Sequence, residues 1–197
     1  MPTSAADIVN RTLELTVRNV QVTGVLPNFD STPAGLAAGV LYPICRDLLL
    51  REMDPEFAWL VAQSLTPIAA APIAPWLYEY EYPADCVRAR QVAPPATGAG
   101  ALPDVFDPLP VRGVAPFDPR PAVAQRVILT DQQNALLSYT ANSIDESQWD
   151  AGFAEAMSRR LANPLAMALA GRPDFARELL AESERYAQLA MASEDLM

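Results

Sequence analysis

The chain contains no histidine and no lysine. Without histidine there is no Ser-His or Cys-His nucleophile pair, and the commonest transition-metal ligand is missing. Without lysine, and with its arginines scattered, the chain lacks the clustered cations that displace counterions from phosphate, so a sequence-independent grip on nucleic acid is disfavoured. The 2 cysteines, Cys45 and Cys86, are too few for a disulfide framework in 197 residues and stand in no C-x-x-C spacing. Both read as small buried apolar residues. Among 8 glycines neither G-x-x-x-x-G-K-[ST] nor G-x-G-x-x-G occurs, which leaves nucleotide-dependent chemistry unsupported. No cofactor and no metal are expected.

Long apolar runs are also scarce. The longest weakly polar stretch, 65–76, holds three prolines and falls well below the roughly 20 residues that span a bilayer, so no membrane segment is expected. The first residues carry neither a basic stretch nor an apolar run of the signal-peptide kind. Synthesis and folding in a cytoplasm are the expectation.

What is present is enough apolar side chain to fold: 51% of the residues are hydrophobic and 19% charged, far from the composition of disorder. A length of 197 residues suits one compact unit, or a core with an appended arm. The formal charge is −10, with the acids spread along the chain. An acidic wall past which DNA slides is compatible with that balance.

Ser4 followed by Asp7 predicts a capped first helix carrying Ile8, Val9, Leu13 and Val17. Thr32 with Pro33 opens a second helix. There Leu36, Val40, Ile44 and Leu48 recur every fourth residue beside Leu41, Cys45 and Leu49, which predicts one continuous buried face. Pro43 falls inside that helix, and Gly39 four residues earlier supplies freedom to bend. From Phe57 the pattern turns extended. Trp76, Tyr78, Tyr80 and Tyr82 share one face of a strand, with Leu77, Glu79 and Glu81 opposite. A turn at 83–85 and a returning strand over 87–92 make a hairpin.

Eight prolines and three glycines over 93–121 leave no period, and this stretch reads as a long arm whose Val105, Phe106, Val111, Val114 and Phe117 hint at docking. Strands over 125–129 and 135–140 follow, joined as a second hairpin by 130–133. Trp149, Phe153, Met157 and Leu161 then step by four, and Glu155 precedes Arg159 at pairing distance. Asn163-Pro164 either kinks that helix or ends it. Gly171 stops the run, and Pro173 opens a last helix with Phe175, Leu179, Tyr186 and Leu189 on its apolar face and a frayed end from 191.

The predicted class is α+β: a discontinuous helical bundle built from both chain ends, 1–56 and 143–197, around an inserted antiparallel β-region, 57–142, that includes the Pro-rich arm 93–121. For chemistry the sequence offers only carboxylates, Glu79, Glu81 and Asp85, more simply read as a solvated strand face than as an acid and base pair. The aromatic face could stack bases, but its interleaved acids argue instead for cross-strand packing or a subunit contact. Trp76, Tyr78, Tyr80, Phe106 and Phe117 are the candidate subunit or partner contacts.

The run Leu41-Tyr42-Pro43-x-x-Arg46-Asp47, then Tyr82-Pro83-Ala84-Asp85-Cys86-Val87-Arg88, resembles the tail tubular protein A family of short-tailed bacteriophages. Leu129-Thr130-Asp131 leading to Ser138-Tyr139, and Phe153-Ala154-Glu155-Ala156 with Arg160-Leu161-Ala162, are similar to its second half, in the same order. The resemblance implies a structural virion protein rather than an enzyme. It implies an adaptor that forms a ring, commonly of twelve copies, between the portal protein and the tail nozzle protein, with DNA passing through the lumen without specific binding. The location implied is the head-tail junction of the virion, with a free monomer that assembles on its partner. Two rivals stand beside it: another head-completion or long-tail connector, and a carboxylate-dependent hydrolase.

Overall fold

The structure, a computed structural model, describes residues 4–17, 20–68, 74–95, 117–121, 126–171 and 173–194. It is an α+β protein in two compact units. The first joins Met1–Phe57 to Ser143–Met197, and the second is the insertion Ala58–Asn142.

The helical unit begins with α1, Ala5–Thr16, whose N-terminus is capped as the sequence predicts: Asp7 N–H donates to Ser4 Oγ at 3.2 Å. Ile8, Val9 and Leu13 are buried. Two short strands that the sequence pattern did not suggest, β1 (Gly24–Val25) and β2 (Asn28–Phe29), form a small hairpin. Asn10 ties α1 to its approach, donating to Val22 O at 3.0 Å and accepting from Val22 N–H at 2.7 Å. The Asp30 carboxylate closes the hairpin, accepting from Thr23 N–H at 2.8 Å and from Thr32 N–H at 3.1 Å. The Thr32 hydroxyl also donates to it, and these bonds hold the Asp30 carboxyl below its ordinary value.

Helix α2, Pro33–Met53, starts at the Thr32 cap with Pro33 in its first turn and runs unbroken through Pro43. Gly39 has a reason other than bending. A Cβ there would lie 2.9 Å from the carbonyl oxygen of Pro27, and one at Gly35 would run into the backbone and side-chain oxygens of Asp30. The two glycines let the hairpin lie directly on the helix. Gly35→Ala is therefore expected to cost about 1–3 kcal/mol through overpacking despite alanine's better helix propensity. The denaturation midpoint of the variant reads this directly.

Helix α3, Ala151–Leu165, is capped by Asp150, which accepts from Gly152 N–H at 2.6 Å and Phe153 N–H at 3.0 Å. It passes through Pro164 and continues as one π-helical stretch, Ala166–Ala170, which stops at left-handed Gly171. Of the two readings of Asn163-Pro164, the structure takes the continuous one. Trp149, Phe153, Met157 and Leu161 are all buried. Trp149 and Phe153 meet edge to face at 4.8 Å, and Phe57 meets Phe153 at 5.1 Å.

Helix α4, Pro173–Glu194, packs on α3. Its buried line is Ala176, Leu179, Ser183 and Ala187. The expected face is thus rotated: Leu179 holds its place, Phe175 and Tyr186 are half-buried, and Leu189 is exposed. Small residues win the interface because they allow close approach. Arg159 binds Glu155 at 2.8 Å and Glu182 at 3.1 Å and lies 4.4 Å over the Tyr186 ring, which places Tyr186 at the rim. The helix holds to Glu194, past the expected start of fraying.

The inserted unit contains β3 (Trp59–Ser64), β4 (Tyr78–Glu81), β5 (Cys86–Ala93), β6 (Phe117–Pro121), β7 (Arg126–Thr130) and β8 (Leu136–Ala141). All ladders are antiparallel, in two three-stranded sheets ordered β3-β8-β5 and β4-β7-β6. Neither predicted hairpin is one. β4 pairs with β7 and β5 with β8, so the connections at 82–85 and 131–135 carry the chain from one sheet to the other. Local turn residues give no sign of that switch. Between the sheets lies a core including Tyr80, Ile128, Cys86, Val92, Leu137 and Tyr139.

The arm also shrinks at both ends. Ala93 belongs to β5 and 117–121 to β6, while 96–116, with Phe106, lies outside the described residues. β6 is an edge strand holding Pro119 and Pro121, two apart and hence with their N–H-less nitrogens on one side. A strand admits proline only on the side without ladder bonds, so the outward side of β6 offers too few donors for a further strand. The opposite edge, β4, is met by 66–68 through Ile68 N–H to Glu79 O and Glu81 N–H to Thr66 O, both 2.9 Å. The edge strands β3 and β5 of the other sheet carry register shifts, with Ala62 left-handed in β3.

Candidate functional site

The face of α2 that the sequence predicts as buried is the face left open. Leu36 is 64% exposed, Val40 64%, Ile44 52% and Leu48 46%. The buried side of the helix is Ala34, Gly35, Ala38, Tyr42, Cys45, Leu49, Leu50 and Met53. The physical reason lies at its narrow residues. Gly35 and Gly39 admit the hairpin at close range, and packing volume rather than hydropathy decides which side turns inward. Cys45 and Leu49 meet the expectation, and burial pushes the Cys45 thiol up to about 11. Such a thiol is protonated at neutral pH and poorly nucleophilic.

The four exposed side chains form a ridge about 18 Å long, at 1.5 Å per helical residue. They present roughly 400 Å² of aliphatic surface, within the range of the largest apolar patch on an ordinary monomer, a size that often marks a binding surface. Beside the amino-terminal half of the ridge lies a groove of about 190 Å³, lined by Pro27, Asn28, Phe29, Gly35, Leu36, Gly39 and Val40. The glycines that seat the hairpin also open this notch.

By length and composition α2 is also long and apolar enough to cross a bilayer, unlike the shorter stretch 65–76. It carries Arg46, Asp47, Arg51 and Glu52, and its inner side is committed to the fold. Tyr42 is the anchor there. Fully buried, it donates from its hydroxyl to Glu146 Oε1 at 3.0 Å. Burial, and secondarily the Glu146 charge, raise its pKa far above the usual phenol.

The sign follows from which form the fold holds. A phenol whose folded pKa is raised contributes stability that is whole below its unfolded value near 10 and is lost as pH rises past it. The melting temperature of the wild type is expected to fall between pH 9.5 and 11. Tyr42→Phe is expected to lower it at pH 7 by the equivalent of about 0.5–1.5 kcal/mol and to flatten the alkaline decline. An undiminished decline in the variant would place the titrating group elsewhere.

The candidate contacts of the aromatic strand part company in the structure. Tyr80 is 2% exposed, with its hydroxyl donating to Gln132 O at 2.8 Å and accepting from Ala135 N–H at 3.3 Å. It is a core residue, not a subunit contact. Tyr78 is half-buried against the same core, 6.5 Å from Tyr80. Trp76 precedes the strand and is partly exposed, Phe106 is outside the described residues, and of Phe117 only the backbone is described.

The carboxylates are not gathered either. An open depression of about 380 Å³ is lined by Glu81, Tyr82, Pro83, Ala84, Cys86 and Arg126, with the Arg126 guanidinium 4.0 Å over the Tyr82 ring. Glu79 does not line it, and Asp85 Oδ1 accepts from the Tyr139 hydroxyl at 3.0 Å.

The motif residues that carry the family resemblance hold turns and packing. Asp85 O accepts from Asn142 N–H at 3.0 Å, and Asp131 Oδ1 accepts from Leu77 N–H at 3.1 Å. Arg46 pairs with Asp47 at 3.0 Å. Compared with known proteins, the chain matches no family model and no curated protein.

Proposed function

We propose that this chain is a structural component of a short-tailed bacteriophage particle, a head-to-tail adaptor that forms a ring between portal and tail nozzle. The observation that carries the reading furthest is the open ridge on α2, a surface of the kind that a subunit or partner covers. Three features support it. The order of the short motifs along most of the chain is similar to the tail tubular protein A family. The edge β4 is met by 66–68 and the edge β6 carries two prolines, which makes both poor templates for strand addition and favours association through side-chain surfaces. An acidic, lysine-free chain suits a lumen that lets DNA pass without holding it.

A ring needs a heterologous contact that closes on itself, and the number of copies, twelve in the resembling family, is set by the angle of that contact. The experiment is electron microscopy of virions of the phage that encodes the chain, labelled with an antibody against it. Several labels around the axis at the head-tail junction are expected. A virion without label overturns the adaptor reading and returns Glu81 and the depression beside Arg126 to consideration as an enzyme site.

A further inference from the structure

We draw no further inference here: the strongest candidate, the open depression at the turn between β4 and β5 where the Arg126 guanidinium lies 4.0 Å over the Tyr82 ring, carries nothing, because Glu81 lines the same hollow as that cation and nothing in the structure shows what would occupy it.

Discussion

Phe153→Ala is expected to lower the stability of the helical unit by about 3–5 kcal/mol, read from urea unfolding followed by tryptophan fluorescence. Phe153 is fully buried in the first turn of α3, between Trp149 at 4.8 Å and Phe57 at 5.1 Å, both meeting it edge on. Truncation removes the transfer energy of a whole aromatic ring and leaves a hole at the start of the helix. The Asp150 cap that ends on the Phe153 N–H keeps that start fixed and limits collapse into the hole. Trp149 reports the loss through its own emission. A change below 1 kcal/mol would mean that this cluster is not the centre of the helical core.

Tyr80→Ala is expected to cost the inserted unit about 3–5 kcal/mol for the lost ring. Two backbone groups, Gln132 O and Ala135 N–H, also lose the hydroxyl that satisfies them. Tyr80→Phe isolates the second effect, about 1–3 kcal/mol for a buried donor and acceptor left unmet. The pair of variants separates a core residue from a contact residue. A core Tyr80 weakens folding of the isolated chain in both variants, while a contact Tyr80 would leave the chain stable and impair only assembly.

The sequence made the helices readable where side chains cap or stop them. Ser4, Thr32 and Gly171 act locally, through bonds to backbone within a few residues or through a left-handed turn, and such signals survive in any fold, whereas the Asp150 cap of α3 was not read. The start of α2 followed from them, and the stripe of α3 from its step of four. The orientation of α2 did not. Its two faces are both apolar, and the choice between them was made by Gly35 and Gly39, whose role is to be small against Asp30 and Pro27, residues brought there by a hairpin of four paired positions.

The strands were legible one at a time, and their partners were not. Short polar connections such as 131–135 predict a hairpin by length alone, but register and sheet membership are decided by which faces pack across the core. Here Tyr80 and Ile128 from one sheet meet Leu137 and Tyr139 from the other. The candidate contacts inherited that blindness, since a strand of alternating aromatics looks the same whether its face is covered by a sheet of its own unit or by another copy. The open ridge was visible as a pattern of fours and misread only in direction.

The threading of the chain has a consequence for its synthesis. α1 and α2 are made first, and their packing partner α3 begins only at Ala151, with the entire β unit between them. At roughly 5–20 residues per second, the ribosome takes about 5–20 s from the end of α2 to the end of α3. During that interval the lasting apolar surface of Leu36, Val40, Ile44 and Leu48 faces water, and the inner side of α2 is covered by the hairpin alone. Until α3 is made, the nascent α2 is thus expected to offer apolar surface to a chaperone.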